Sequence, residues 1–170
     1  MERKTLLTAV FAALVSAGAA LASPIHQDGL GIGVFGGVSA GWSGGMHETA
    51  ALSLKLPAIP VLWGVTFHGL RSGALGVGLQ GDFYLLGARL FPALSWFFGL
   101  GAYAVFRLED EPSVVLGGRI PLGASWHPAS FVEAFVSTVA SMGFASGEGG
   151  IRGGLGVEAG VRFWPRRSSG

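Results

Sequence analysis

Apolar side chains recur at every second position along several stretches of the chain. In residues 155–163 every odd position is apolar, and the even positions are glycine or charged: Gly156, Glu158, Gly160 and Arg162. The same alternation recurs in four other stretches: residues 50–56, 61–68, 75–83 and 114–123. Because side chains alternate between two faces along a β-strand, each stretch predicts a strand with one apolar face and one small or polar face.

Weaker alternation in residues 30–40, 94–106 and 131–142 brings the predicted strands to eight. Tilted strands of about ten residues cross a bilayer, and an even number lets a barrel close with both termini on one side. Closure also pairs the backbone N–H and C=O groups, for which lipid offers no partner. We therefore predict an all-β fold, an eight-stranded antiparallel up-and-down transmembrane β-barrel.

The predicted connections alternate between two kinds along the chain. Turns that contain proline occupy residues 57–60, 87–93 and 127–130. Between them lie four predicted loops: residues 41–48, 71–73, 108–112 and 145–153. If the N-terminus is periplasmic, the three turns are periplasmic and the four loops face outward. The one stretch with the length of a membrane helix, residues 84–106, contains Pro92 and three glycines, which disfavours that interpretation.

The N-terminus has the features of a secretory signal. A short charged start precedes an apolar stretch that ends in Ala20-Leu21-Ala22, where a signal peptidase would cut. We predict a signal peptide at residues 1–22, with an uncleaved membrane anchor as the alternative. An outer-membrane β-barrel is predicted at residues 23–164 and a short periplasmic tail at residues 165–170.

Composition narrows the function classes. The chain has 11 Lys+Arg and 10 Asp+Glu, and removal of Glu2, Arg3 and Lys4 with the signal leaves nine of each. This balance excludes a basic nucleic-acid surface. There are no cysteines, so neither disulfides nor thiolate metal sites are available. Charged residues are only 12% and glycines number 30, which suits a chain that places apolar side chains against lipid.

Four of the five tryptophans fall near the same predicted membrane level. They follow or precede the proline-containing turns or end the last strand: Trp63, Trp96, Trp126 and Trp164. Indole rings prefer the water–lipid interface, and barrels carry aromatic girdles there. These residues are therefore predicted to form an aromatic girdle at the periplasmic interface.

The predicted inward face carries charges of both signs. It comprises Lys55, His68, Asp82, Arg119, Glu133, Glu158 and Arg162, with Arg107 near the outer end. An eight-stranded barrel is filled by side chains, and buried charges must pair, so these residues predict a structural salt-bridge network in the lumen. Glu133 and Arg162 are predicted to pair across neighbouring strands. A proton or ion path is the alternative role.

Motifs for catalysis and cofactors are weak. Residues 31–36 and 76–81 both fit G-x-G-x-x-G, but their glycines lie inside predicted strands, where no dinucleotide site forms. A metal site from His47 and Glu48 is less favoured than a solvated loop. A Ser–His–carboxylate set would have to use His68, the one histidine within a predicted strand, and no nucleophile elbow supports it. No cofactor and no catalytic residue is predicted.

Two segments carry a family resemblance. Residues 52–64 (LSLKLPAIPVLWG) and 118–128 (GRIPLGASWHP) resemble a family of small outer-membrane β-barrel proteins known from spirochaetes. The resemblance implies an eight-stranded barrel of poorly defined function, with surface adhesion proposed for some members. It carries no catalytic residues over to this chain. A difference from many outer-membrane proteins is that Phe163-Trp164 is followed by a six-residue tail.

The sequence predicts a non-enzymatic outer-membrane barrel that presents short surface loops in a structural or adhesion role. Its predicted partners are outer-membrane lipid and an extracellular host or surface ligand reached through the loops. Three alternatives stay open: a narrow pore or transporter, a lipid-modifying barrel enzyme, and a soluble lipocalin-like binding barrel. The last would place on the outer face Lys55, Asp82, Arg119, Glu133, Glu158 and Arg162.

Overall fold

The computed structural model describes residues 29–42, 44–57, 59–70, 75–108, 112–146 and 150–165. Within them the chain forms eight strands: β1 (Gly31–Gly41), β2 (Met46–Lys55), β3 (Leu62–His68), β4 (Gly76–Phe91), β5 (Leu94–Arg107), β6 (Ser113–Ala129), β7 (Val132–Ala145) and β8 (Gly150–Phe163). The predicted signal peptide and residues 166–170 of the predicted tail lie outside the described residues, so both stay predictions.

The strands close into one antiparallel barrel in chain order, with β1 paired to β8. Following paired residues once around the wall from Gly31 returns to β1 at Gly41, a shear of ten residues. For eight strands this corresponds to a tilt of roughly 40°, within the usual range for barrels. The predicted eight-stranded up-and-down barrel is confirmed. No helix among the described residues is long and apolar enough to cross a membrane.

The two faces of the wall have opposite chemistry. Outward positions expose large apolar side chains along every strand, such as Val34 (57% exposed), Leu116 (59%) and Leu155 (63%). Among the described strand residues that face outward, Glu48 is the only charged one. Buried side chains inside the barrel include Lys55, Arg119 and many serines. This distribution is the reverse of a soluble barrel and belongs to the transmembrane class.

Several strands run further than the sequence predicts. The predicted turn 87–93 is mostly strand, because β4 continues to Phe91 and only Pro92 and Ala93 form the turn. Likewise β6 continues to Ala129, and register shifts in both hairpins absorb the irregular residues. At the other end, the predicted loop 145–153 is too long because β8 begins at Gly150. The predicted loop 41–48 is also too long, because His47 and Glu48 lie in β2.

We call the end with the β2–β3, β4–β5 and β6–β7 connections the proline end, and the opposite one the loop end. The wall is uneven, since β1 to β3 have 7 to 11 residues and β4 to β8 have 14 to 17. The excess of β4 over β3 lies at the proline end, where β3 begins at Leu62 opposite Asp82, in the middle of β4. The excess of β8 over β1 lies at the loop end, because Gly41 pairs with Gly154 and β8 begins at Gly150.

Candidate functional site: the barrel lumen

Glu133 and Arg162 form a buried ion pair near the proline end. They lie opposite one another on β7 and β8, and Arg162 Nη1 is 3.0 Å from Glu133 Oε1, with 3% and 2% of the side chains exposed. Arg162 Nε also donates to Ser53 Oγ at 3.1 Å, and Trp164 Nε1 donates to Glu133 Oε2 at 3.1 Å. Since both carboxylate oxygens have donors, the pair offsets much of the cost of burying its charges.

Lys55 and Trp164 cover the proline end of the lumen. Lys55 Nζ donates to the carbonyl oxygens of Leu56 (3.1 Å) and Ile59 (2.6 Å), so the charge holds the β2–β3 connection against the barrel. The ring of Trp164 lies on Gly31, where an added Cβ would come within 2.8 Å of it. The backbone N–H of Trp164 donates to Phe131 O at 2.9 Å, which fixes the chain directly after the end of β8.

A second charged cluster lies halfway along the lumen. Arg119 on β6 places Nε 3.0 Å from Asp82 Oδ1 on β4 and Nη2 2.7 Å from Glu158 Oε2 on β8. Its Nη1 donates to Gln80 Oε1. One guanidinium therefore joins three strands that are not neighbours in the wall, which fixes the cross-section of the barrel.

Aromatic rings fill the space next to these charges. Tyr84 stacks on Phe97 with ring centroids 4.6 Å apart, and Phe35 meets Phe135 at 6.2 Å. The Arg162 guanidinium carbon lies 3.8 Å from the Phe135 ring centroid, a cation–π contact. The sequence interpretation missed these inward aromatics. In β1, β5 and β7 both faces contain apolar residues, which explains why the alternation there is weak.

Inward glycines allow this filling. A Cβ added at Gly117 would lie 2.6 Å from Tyr103 Cζ, and one at Gly123 would lie 2.6 Å from Phe97 Cζ. Large side chains on one strand thus lie flat against the bare backbone of the next. Among the cavities lined by described residues are two of about 20 and 10 Å³, and both are lined by Asp82, Tyr84 and Arg162. Each has room for about one water molecule.

The loop-end half of the lumen holds His68. Its Nδ1 lies 3.1 Å from Thr49 Oγ1 and its Nε2 lies 2.9 Å from Thr66 Oγ1. The ring therefore contacts two threonine hydroxyls, which differs from the serine and carboxylate contacts that a catalytic triad requires. Within the described ranges, no group of three or more His, Asp or Glu residues is placed to hold a metal ion.

The tryptophans differ from the predicted girdle. Trp164 is 8% exposed and bonded to Glu133, so its assignment to a lipid-facing girdle is wrong. Trp63 faces outward but follows Leu62, which is level with the middle of β4, so it lies far above Trp96 and Trp126. Trp96 and Trp126 lie close together on β5 and β6 near the proline end. Trp42, outside the predicted set, is 65% exposed at the loop end.

Comparison with known proteins gives likenesses of fold. No protein-family model and no curated protein sequence matches the chain, so the spirochaete resemblance has no sequence-family support. Neisserial surface protein A (NspA) aligns with a TM-score of 0.48 and 11% identity, covering 79% of this chain and 96% of that one. The N-terminal β-barrel domain of Pseudomonas aeruginosa OprF gives 0.44 and 15%, covering 79% and 98%. The de novo designed TMB2.3 gives 0.46 and 16%, covering 82% and 98%. The fold assignment rests on the strand pairing described above.

Proposed function

We propose that this protein is a closed, non-enzymatic β-barrel of a bacterial outer membrane that anchors short surface loops in a structural or adhesion role. One observation carries the proposal: an apolar outer wall with Glu48 as its only charge among the described outward strand residues surrounds a lumen of paired charges. Lipid stabilises that outer wall, whereas water would not. Membership of the spirochaete-type family, the signal peptide and a loop ligand stay predictions.

The lumen geometry favours an anchor over a pore. Asp82, Arg119 and Glu158 cross the middle of the barrel, and Trp164 with Lys55 covers the proline end. The cavities between these layers have room for about one water molecule each. A planar bilayer containing the purified protein should therefore show no conductance above background, and steady single-channel currents would contradict the closed anchor.

The lipocalin-like alternative places the charges on the outer face, but Lys55, Asp82 and Arg119 are buried inside the barrel. A pair of arginine substitutions tests the lipid-facing wall. Leu122 is 51% exposed in the middle of β6, and Ile151 is 75% exposed at the loop-end start of β8. An arginine at the bilayer midplane costs about 2–4 kcal/mol, falling to about 0–1 kcal/mol near the interface.

We expect Leu122→Arg to lower the free energy of unfolding in vesicles by that larger amount, and Ile151→Arg to change it little. Heat-modifiable mobility on cold detergent gels would report the folded barrel in each variant. If both variants fold equally well and partition into water, the outer wall does not face lipid.

A further inference from the structure

Two adjacent hairpins, β4–β5 and β6–β7, extend beyond β2 and β3 at the proline end. β3 begins at Leu62, opposite Asp82, yet β4 continues to Phe91 and β6 to Ala129. With a rise of about 3.3 Å per residue and a tilt of roughly 40°, Phe91 lies on the order of 14 Å beyond Leu62 along the barrel axis. The two hairpins meet, since Leu94 of β5 pairs with Trp126 of β6.

The outer surface of this extension remains apolar. Its large outward or turn side chains, which we call the lower apolar rim, are Leu90, Phe91, Trp96, Trp126 and Phe131. Four of them expose between 49% and 66% of their surface. The opposite face of the same strands carries Arg89, Ser95 and Ser125. The alternation of the membrane wall therefore continues through the extension, which distinguishes it from a periplasmic loop.

We infer that the lower apolar rim binds the acyl chains of the membrane leaflet at the proline end, at a depth that β2 and β3 do not reach. The inference rests on the proposed function and adds a lipid contact specific to one side of the barrel. The rim is continuous with the apolar wall through Leu122 and Trp126 of β6, which both face outward. Trp96 and Trp126 are the side chains that favour the lipid interface.

A barrel with this rim has a greater hydrophobic depth along β4–β7 than along β2 and β3. Bilayers accommodate such a mismatch by local thickening, at a modest cost for each ångström. The protein therefore orders lipid on one side, and the bilayer next to β4–β7 is thicker than the bilayer next to β2 and β3.

Site-specific nitroxide labelling tests the rim, and the absence of cysteines makes single-cysteine variants straightforward. The variants are Phe91→Cys and Phe131→Cys on the rim and Leu122→Cys in the middle of the wall. Pro60→Cys, an exposed position in the β2–β3 connection, is the matched proline-end control. Each full-length variant is folded into dioleoylphosphatidylcholine vesicles, and collisions with oxygen and with a water-soluble nickel chelate are compared.

We expect the oxygen-to-nickel collision ratio at positions 91, 131 and 122 to be several-fold higher than at position 60. Low ratios at 91 and 131 beside a high ratio at 122 would overturn the lipid rim and leave the outer-membrane barrel standing. A low ratio at 122 as well would overturn the proposed function itself. Protection of 91 and 131 from both reagents would mean that protein, such as a second copy, covers the rim, and would also overturn the inference.

Discussion

The proline-end and loop-end halves of the lumen are filled by side chains of different chemistry. The proline-end half is filled by a buried ion pair, Glu133–Arg162, and by stacked aromatic rings. The loop-end half holds hydroxyls around His68 beside a small apolar cluster formed by Val105, Val115 and Ala145. Removing one partner of a buried ion pair leaves an uncompensated charge, which costs more than the loss of a neutral hydrogen bond. We therefore expect the stability of the barrel to be concentrated at the proline end.

The largest effect is expected from Glu133→Leu. The substitution leaves the Arg162 guanidinium and the Trp164 N–H without their carboxylate, in a site where 3% of the Arg162 side chain is exposed. Removing one partner of a buried pair typically costs about 3–5 kcal/mol. We expect the free energy of unfolding, measured by urea titration in vesicles, to fall by that amount.

The double variant Glu133→Leu/Arg162→Met is the control for this comparison. Replacing both charges by apolar side chains removes the orphaned cation, so most of the lost stability should return. A single variant as stable as the parent would show that the proline end does not depend on the pair. The comparison between the two halves would then fail.

Adjacent glycines on β6 sharpen the comparison in the loop-end half. A Cβ at Gly117, which faces the lumen, would lie 2.6 Å from Tyr103 Cζ and 2.7 Å from Gly143 Cα. At Gly118, which faces outward, the nearest atom would be 3.8 Å away. Gly117→Ala should destabilise by about 1–3 kcal/mol through overpacking, and Gly118→Ala should be nearly neutral. Equal unfolding midpoints for the two variants would show that glycine packing does not set the stability of this half.

The sequence predicts the number, order and inside-outside faces of the strands because a period of two is a local property. The lengths of β4 and β6 could not be predicted in the same way. Pro92 and Pro128 suggested longer turns. In the structure Pro92 lies in a two-residue turn, and a register shift in the β6–β7 hairpin accommodates Pro128 within β6. A proline can lie within a strand at a bulge, so its presence alone does not end one.

The charged residues of the lumen were recognisable because they alternate with apolar ones, and Glu133 with Arg162 could be placed opposite each other from strand order. The contacts of Arg119 with Asp82 and Glu158 cross the barrel and depend on its shear, which no local pattern encodes. The position of the Trp164 ring could not be predicted from a local pattern either. Its position at the end of β8 suggested an interface residue, yet its ring turns onto Gly31 inside the barrel.

The smallest effect is expected from His68→Leu. Both ring nitrogens contact threonine hydroxyls, at 3.1 Å to Thr49 and 2.9 Å to Thr66, and a net hydrogen bond contributes about 0.5–1.5 kcal/mol. Losing neutral hydrogen bonds costs less than leaving a buried charge without its partner, so we expect a loss of about 1 kcal/mol by urea titration, well below that of Glu133→Leu. His68→Gln, which can still donate and accept, should recover part of it. A loss at His68 as large as that at Glu133 would reverse the order of the two halves. His68→Leu also tests the enzymatic alternative, because a lipid hydrolase that used His68 as its base would lose its activity in this variant.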